Sequence, residues 1–374
     1  MGLKVAPAVS DDEKAKVYEF RYRVYVEELE IESPEADHSR RWLRDPADDY
    51  STSFALLDDG EVMGLLRATL LSEVPDIEPY VEKYGLEPAL GAFELSEICA
   101  TSRFMLDSRL RGSTAVLRLV RGPYLTWQRR GVRLNYGDCS PHLVPFYEHM
   151  GFRRFGRTFN DAAYGFKIPI LMLVSDVAHF ERVRSPFARL AKGVDQDHEA
   201  RDWFERSYPD AVAPASAALL PEGEFLDLLA TRLADDPVHA LGLLRGLDRG
   251  EADRFLERAT LIRAEAGDRI LRQNEAGDTT FVLVSGVAEV MQDGRSIRLL
   301  GAGDPFGEIA LLTGGRRSAD VTARTDCEAV VLSSGMLTGI AERDPVVGAK
   351  ILLNLTRILA LRLTDLPSPQ SVPN

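Results

Sequence analysis

The chain has 374 residues and a formal net charge of −13, from 45 basic and 58 acidic side chains. This length predicts two or three domains, and the acidic balance argues against nucleic acid as a partner, because non-specific binding needs a basic surface. The cysteines Cys99, Cys139 and Cys327 lack metal-ligand spacing, so we expect free thiols and no metal site. The sequence shows neither an apolar signal core nor a run of membrane-spanning length, which predicts a cytoplasmic protein.

Residues 1–174 predict an α/β domain with a mixed sheet. Strands over 53–57 and 62–69, joined by Asp58-Asp59-Gly60, have the turn chemistry of a β-hairpin. The other predicted elements are a helix over 11–30, a strand over 92–100, a helix over 113–130, a strand over 134–138 and a helix over 143–150.

Two short motifs stand out in this region. The first is a loop between a predicted strand and a predicted helix, with the candidate phosphate ligands Arg109, Arg111, Gly112, Ser113 and Thr114. Backbone N–H groups at a helix start can hold phosphate oxygens, so the loop predicts a phosphate-binding site. The second motif covers residues 145–152 and contains Tyr147.

In this order, the two motifs resemble the GNAT acyltransferase superfamily. The loop resembles its pyrophosphate loop, with Thr114 in place of the second glycine, and residues 145–152 resemble its Phe-Tyr-Glu-x-x-Gly-Phe segment. Residues 20–28 and 93–98 further resemble the acyl-homoserine-lactone synthases and the N-acyl amino acid synthases, although Glu97 stands where those families have arginine. The resemblance implies a GNAT fold and an acyl thioester donor, either acyl-CoA or an acyl carrier protein.

Direct acyl transfer needs a base for the attacking amine, an acid for the departing thiolate and a donor for the oxyanion. We predict Glu94 as the base, since on a strand it shares a face with Ser96 and Ile98, and Glu97 as the second choice. Tyr147 is the predicted acid, as in many GNAT enzymes. A splayed strand edge is expected to supply the backbone donor.

Each of these assignments has a structural alternative. Glu94 would then be a salt-bridged edge residue, and Tyr147 a half-buried core aromatic. Arg21, Arg23 and Arg67 are candidates for holding a substrate carboxylate, but a solvated surface position is favoured for all three.

Residues 175–235 predict a helical linker, with packing on either domain left open. Helical patterns occur at 176–184 and 199–206, and proline breaks such as Tyr208-Pro209 and Leu220-Pro221 interrupt the chain. Beyond it, residues 236–366 predict a further domain, and residues 367–374 a disordered tail.

The further domain is predicted as a jelly-roll-like β-roll with flanking helices, which makes the chain an α+β multidomain protein. Short β-like runs at 269–271, 280–284, 288–291 and 296–300 alternate with glycine turns. A capping box begins at Asp248, and a long amphipathic helix starts at Pro345. That closing helix either covers the roll or pairs with a partner helix, so a homodimer is one expectation.

Residues 306–319 have the chemistry to hold a phosphorylated sugar. Gly307 lets backbone N–H groups approach a phosphate, Glu308 can accept from a ribose hydroxyl, and Arg317 can neutralise the phosphate. Arg316 is expected to face solvent.

This motif and its glycine turns resemble the cyclic-nucleotide-binding domain of cAMP receptor transcription factors and protein kinase A regulatory subunits. The resemblance implies that cAMP, or else cGMP, binds through two segments, made of Phe306, Gly307, Glu308, Ile309, Ala310, Arg317, Ser318 and Ala319. It implies that Glu308 contacts the ribose, Arg317 the cyclic phosphate, and Ser318 the neighbourhood of the base. The alternative is a β-roll that has kept its turns and lost its ligand.

We therefore predict a bacterial-type, cyclic-nucleotide-regulated N-acyltransferase that moves an acyl group from a thioester to an amine. The amine is either an amino-acid-like small molecule or a protein lysine. No helix-turn-helix pattern follows the β-roll, which argues against a transcription factor. The rival hypothesis is a non-catalytic sensor or scaffold with a degenerate GNAT module, favoured by Thr114 and Glu97.

Overall fold

The chain folds as two compact units, residues 1–213 and 214–374, and the computed structural model describes residues 2–211 and 216–364. The predicted disordered tail at 367–374 lies outside the described residues. Across the described ranges, no helix combines the length and the apolar character needed to cross a membrane.

The first unit contains ten strands and eight α-helices among its described residues. The strands are β1 (Lys4–Pro7), β2 (Ala36–Asp37), β3 (Trp42–Leu43), β4 (Thr52–Asp58), β5 (Glu61–Leu70), β6 (Ile98–Leu106), β7 (Leu134–Cys139), β8 (Arg153–Arg154), β9 (Phe159–Asp161) and β10 (Gly165–Leu173). The helices are α1 (Asp11–Tyr22), α2 (Glu78–Tyr84), α3 (Glu87–Leu90), α4 (Ala115–Arg129), α5 (Val144–Met150), α6 (Val177–Arg182), α7 (Phe187–Leu190) and α8 (His198–Ser207).

One mixed sheet organises this unit, as predicted. Its strand order is β1-β4-β5-β6-β7-β10-β8, with β9 beside β10, and β6 and β7 form its parallel pair. The predicted hairpin is confirmed as β4 and β5, which pair from Thr52↔Ala68 to Asp58↔Glu61. Helices α2, α3 and α8 cover one face of β6 and β7 with an apolar core that includes Tyr84 and Trp203.

The predicted strand over 92–100 is wrong in its first half. Leu95–Glu97 form a 3-10 turn, and β6 begins only at Ile98. The Glu97 carboxylate accepts a 2.9 Å hydrogen bond from the Glu94 backbone N–H, which caps the turn and satisfies a donor that a strand would have paired. Likewise, the predicted helix over 11–30 is α-helical only to Tyr22 and continues as a π-helical turn over Arg23–Glu28.

The predicted linker is divided between the two units. Helix α8 buries Trp203 and Phe204 in the core of the first unit. The next helix, α9 (Glu224–Leu233), instead buries Phe225 and Leu229 in the core of the second.

The second unit is a β-roll flanked by helices, as predicted. Its strands are β11 (Thr260–Ala264), β12 (Arg269–Leu271), β13 (Thr279–Ser285), β14 (Ala288–Gln292), β15 (Arg295–Leu300), β16 (Pro305–Phe306), β17 (Asp320–Ala323) and β18 (Cys327–Ser333). They form two antiparallel sheets, in the orders β11-β18-β13-β16 and β12-β17-β14-β15. The helices after α9 are α10 (Pro237–Ala240), α11 (Arg249–Leu256), α12 (Glu308–Thr313), α13 (Ser334–Arg343) and α14 (Pro345–Thr364).

Candidate functional site

The first unit's sheet opens where its two parallel strands separate. β6 and β7 pair only from Ile98↔Leu134 to Ala100↔Tyr136, although both strands continue beyond these residues. Next to the last pair, Gly137 has no side chain to fill the space near the Thr101 carbonyl, which lies 3.4 Å from where a Cβ would be. The predicted splayed strand edge is therefore present.

A β-bulge in β6 lies beside this opening. The register against β5 shifts between Leu65↔Met105 and Arg67↔Ser102, and Arg103 has a φ of 53°. A left-handed φ is unfavourable for arginine, and bulges are typically found where a side chain is redirected. The bulge lies at the residues from which side chains enter two environments, Phe104 an apolar cleft and Arg103 a charged cluster.

The first environment is an apolar cleft with an empty volume of about 360 Å³, including its opening to solvent. Leu66 of β5 and Thr101 and Phe104 of β6 line it from the sheet. The helices contribute further lining residues, among them Val120, Trp127, Phe146, Tyr147 and Met150. The apolar lining of this cleft favours an apolar group over a charged one.

The second environment is a buried charged cluster of three arginines and two aspartates. Asp48 accepts from Arg21 at 2.6 Å, and Asp45 accepts from Arg67 at 2.5 Å and from Arg103 at 2.6 Å. Arg21 is 0% and Arg67 6% exposed. The expectation that these two arginines are solvated surface residues is therefore wrong, because each has a buried carboxylate partner.

The cluster has one positive charge in excess at neutral pH, because three arginines face two aspartates. Burial by itself would raise the pKa of Asp45, but the attraction of Arg67 and Arg103 outweighs burial and lowers the pKa to about 2. Burial also lowers the pKa of Arg21, despite its contact with Asp48. Asp45 is thus ionised and paired with its arginines at neutral pH.

Arg103 of the cluster lies between two tyrosine rings. Its guanidinium carbon lies 5.3 Å from the ring centre of Tyr25 and 5.1 Å from that of Tyr164, and it also donates to the Tyr164 hydroxyl. Arg67 donates to the Ser102 hydroxyl at 3.0 Å. Since Leu66 and Arg67, like Thr101 and Ser102, are consecutive on a strand, the cleft and the cluster lie on opposite faces of the sheet.

The predicted phosphate loop has free backbone donors but no free arginine. Gly112 has a φ of 74°, and its N–H and that of Thr114 donate to no other described residue. Arg109 is paired with Asp107 at 2.7 Å and with Glu61 at 2.6 Å, and Arg111 is paired with Glu28. A phosphate here could accept hydrogen bonds from these backbone N–H groups directly. To pair with Arg109 or Arg111, it would have to displace their carboxylate partners.

The remaining loop and surface candidates are internally bonded. The Ser113 hydroxyl donates to the Leu110 carbonyl at 2.6 Å. Arg23 is half-exposed and pairs with Asp107 at 2.9 Å, which leaves it outside the buried cluster. Its predicted surface position is therefore confirmed.

The two predicted acid–base residues do not lie together. Tyr147 lines the apolar cleft, and burial raises its pKa well above the usual value, so it is protonated at neutral pH. Glu94 is exposed at the cap of the turn before β6, and it does not line the cleft. Glu97 faces Arg133 at 3.6 Å.

In the second unit, the residues of the 306–319 motif converge around Arg317, which is only 5% exposed. Its guanidinium donates to the Thr279 carbonyl at 2.6 Å, the Thr279 hydroxyl at 2.8 Å and the Gly307 carbonyl at 2.8 Å. Arg316 is exposed and donates to the Asn274 carbonyl, as expected for a solvent-facing neighbour.

Glycines make room for this arginine. A Cβ on Gly277 would lie 2.2 Å from Arg317 Nε, and one on Gly307, whose φ is 78°, would lie 2.8 Å from Nη1. Burial lowers the pKa of Arg317, although the carboxylates of Asp278 and Glu275 oppose the effect. A bound anion would offset the cost of burying this charge.

The other motif residues surround the same point. Glu308 is 3% exposed and accepts from Arg362 of α14. Phe306 is buried against Phe281, with ring centres 5.1 Å apart. Ala310 and Ala319 are also buried, whereas Ile309 and Ser318 are exposed.

Sequence reasoning missed Asp45, Asp48, Arg103 and Arg362. One available signal was Arg67, a charge inside the otherwise apolar run of β5. Among the residues the structure describes, no group of three or more His, Cys, Asp or Glu side chains could hold a metal ion. The three cysteines are buried free thiols, as expected.

The comparisons with known proteins match these two regions. Residues 16–175 match the family described as N-acyl amino acid synthase FeeM. Residues 261–344 match the cyclic nucleotide-binding domain family.

Curated relatives are similar over shorter stretches. An uncharacterized protein of Mycobacterium tuberculosis is 46% identical over 71 residues, which is 19% of this chain and 14% of that protein. The cAMP-dependent protein kinase regulatory subunit of Yarrowia lipolytica is 33% identical over 113 residues, 28% of this chain and 30% of that protein. This chain thus spans less than a third of the length of either relative.

Solved structures include a cyclic nucleotide-binding domain from Methylobacillus flagellatus, at 23% identity with a TM-score of 0.36 over 44% of this chain and 89% of that one. The Thermus thermophilus catabolite activator protein is 30% identical, with a TM-score of 0.30 over 33% of this chain and 59% of that one. By its family matches, the chain contains an N-acyl amino acid synthase FeeM domain at residues 16–175 and a cyclic nucleotide-binding domain at residues 261–344.

Proposed function

We propose that the protein is a GNAT-type N-acyltransferase that moves an acyl chain from a thioester to the amino group of an amino acid, under the control of a cyclic nucleotide. The donor is an acyl-CoA or an acyl carrier protein. We further propose that Arg317 holds the cyclic phosphate and Glu308 the ribose, with cAMP as the first ligand to test.

One observation supports the acyl-transfer part of this proposal most strongly. An apolar cleft and a positively charged cluster occupy opposite faces of β5 and β6, beside the opening between β6 and β7. A thioester in that opening would direct its acyl chain into the cleft. Its carbonyl carbon would then be open to attack from the side of the cluster.

The excess charge of the cluster supports an acceptor with a carboxylate. Arg103 is the partner most suited to it, because its side chain is 10% exposed and two tyrosine rings flank it. An arginine fork matches the geometry of a carboxylate. This favours a free amino acid over a protein lysine, whose own carboxyl is part of a peptide bond.

In the reaction, the amine nitrogen attacks the thioester carbon, a C–N bond forms and the C–S bond breaks. The departing thiolate needs a proton, and Tyr147 is protonated and lines the cleft, which supports its role as the acid. The amine must lose a proton to a base, a role for which Glu94 remains a prediction. Backbone N–H groups at the splayed edge are proposed to stabilise the oxyanion.

The proposal is tested by incubating the full chain with long-chain acyl-CoA or acyl carrier protein and each amino acid, and by measuring N-acyl amino acids by mass spectrometry. Arg103→Met should raise the KM for the amino acid about 10-fold or more, as expected for a lost charge-assisted hydrogen bond. The KM for the donor should stay unchanged. If Arg103→Met and the wild type had the same KM for the amino acid, Arg103 would not bind the acceptor.

Two further variants separate the acid and the base. Tyr147→Phe should slow transfer by about 100-fold, the scale of general acid catalysis. If Glu94→Gln transfers at the wild-type rate, Glu94 is not the base. Rates measured with and without cAMP test the regulatory part, and the Arg317→Ala variant should show no cAMP effect.

The second candidate function is a non-catalytic sensor. It is favoured by the phosphate loop, where both arginines are already paired with carboxylates. Absence of turnover with every donor, with and without cAMP, would support this alternative.

A further inference from the structure

The proposed ribose-binding carboxylate already has a charged partner, Arg362 in the last turn of α14. Nη1 of Arg362 lies 2.5 Å from Oε1 of Glu308, and Nη2 donates to the Pro305 carbonyl. Glu308 is 3% exposed, and the Arg362 side chain is 19% exposed. An ion pair this buried is protected from screening by solvent.

The contact uses only one of the two carboxylate oxygens. Oε1 accepts from Arg362, while Oε2 has no partner among the described residues. A carboxylate has about four acceptor positions, so the pair leaves room for a hydroxyl donor on Oε2. Arg362 also donates from Nη2 to the Pro305 carbonyl, and this second hydrogen bond fixes the guanidinium while Nη1 pairs with the carboxylate.

The position of Arg362 depends on how α14 is anchored. Asn354 is buried and donates to the Leu243 carbonyl at 2.9 Å and the Arg245 carbonyl at 2.8 Å. Ile351 and Leu355 pack in the apolar core of the same unit. Arg362 therefore extends from a fixed helix, and Glu308, the first residue of α12, is oriented by a different element.

We propose that Arg362 is a positioning residue for ribose recognition: it keeps the Glu308 carboxylate oriented so that Oε2 accepts from the 2′-hydroxyl of a cyclic nucleotide. The inference rests on the proposed binding of a cyclic nucleotide at this site. Without Arg362, Glu308 loses its ion-pair partner, and a buried carboxylate left without one rotates toward solvent. This rotation weakens the hydrogen bond from the ribose.

The test is calorimetric titration of the full chain with cAMP and with 2′-deoxy-cAMP. The wild-type protein should bind the deoxy analogue about 10-fold to 100-fold more weakly, the range for a hydrogen bond to a charged acceptor. In Arg362→Ala, cAMP binding should weaken by a similar factor while the deoxy analogue is bound nearly as before. The discrimination should therefore fall to about threefold or less.

Two further variants guard against a general loss of structure. Arg362→Lys keeps the charge and should restore part of the discrimination. Arg357→Ala removes an exposed arginine from the same helix, and it should behave as the wild type.

Two results would overturn the inference. Wild-type discrimination in Arg362→Ala would show that Glu308 needs no partner. Tighter cAMP binding by Arg362→Ala would show that Arg362 competes with the ribose. If the wild-type chain binds neither cAMP nor cGMP, the proposed ligand fails as well, and that outcome is recognised in the wild type before any variant is compared.

Discussion

Both units bury arginine, but they satisfy it in different ways. In the first unit, Arg21, Arg67 and Arg103 are paired with the carboxylates of Asp45 and Asp48. In the second unit, Arg317 donates to three neutral acceptors, two carbonyls and a hydroxyl, and has no carboxylate within ion-pair distance among the described residues.

The difference teaches what each site can offer a ligand. Neutral acceptors orient a guanidinium without cancelling its charge, so Arg317 keeps a full charge for an anion. Carboxylate partners cancel most of the charge, so the first cluster is mainly structural and has one charge left over. The same type of side chain would thus serve anion binding in the second unit, and in the first unit mainly stability, with one charge left for an acceptor carboxylate.

The comparison is tested most strongly by Asp45→Asn. The substitution leaves Arg67 and Arg103 buried without their shared carboxylate, and breaking such a pair costs about 3–5 kcal/mol. We expect a loss of that size in the unfolding free energy of the first unit, measured by urea titration, with the cyclic-nucleotide affinity of the second unit unchanged. Asp49→Asn, at an exposed partner of Arg44, is the matched control. An equally small effect of both variants would contradict a structural role for the cluster.

For the second unit, Arg317→Ala should abolish cAMP binding, with an affinity loss of about 100-fold or more, equivalent to about 3 kcal/mol. The reason is that its charge is not cancelled by a carboxylate. Titration calorimetry measures the effect, and Arg316→Ala, at the exposed neighbour, should bind like the wild type. Unchanged affinity in Arg317→Ala would refute the phosphate assignment.

Acid unfolding should reveal the contribution of the Asp45 ion pairs to the stability of the first unit. The folded-state pKa of Asp45, about 2, lies below the ordinary value of 3.8, so its contribution is fully present above about pH 4 and is lost as the pH falls toward 2. The shift corresponds to about 2 kcal/mol. Between pH 4 and 2, the first unit of Asp45→Asn should therefore lose less stability than that of the wild type. Parallel pH profiles would contradict the assignment.

The smallest expected effect concerns the placement of Arg317. In Gly277→Ala the new Cβ would lie 2.2 Å from Arg317 Nε, so the side chain must shift. We expect cAMP affinity to fall about 10-fold, or about 1.4 kcal/mol. Gly301→Ala, where a Cβ meets nothing within 4 Å, is the control. Equal affinities would mean that the charge of Arg317 matters and its position does not.

Local patterns were sufficient for much of this molecule. The hairpin of β4 and β5 follows from its turn residues, and the β-roll from its spaced glycines. The nucleotide motif is also local, since Glu308 and Arg317 are nine positions apart in the sequence. By contrast, the first half of the strand predicted at 92–100 was wrong because a side chain, Glu97, supplied the hydrogen bond that a neighbouring strand was expected to supply.

By itself, the sequence determined the two domain types, the order of most elements and the location of the nucleotide motif, because periodicity and turn chemistry act over a few residues. Tertiary structure alone decided the partners of its charges. Asp45 meets Arg103 across 58 positions, and Arg362 meets Glu308 across 54. Such pairs depend on how strands and helices pack, and burial then decides whether an arginine is solvated, structural or available to a ligand.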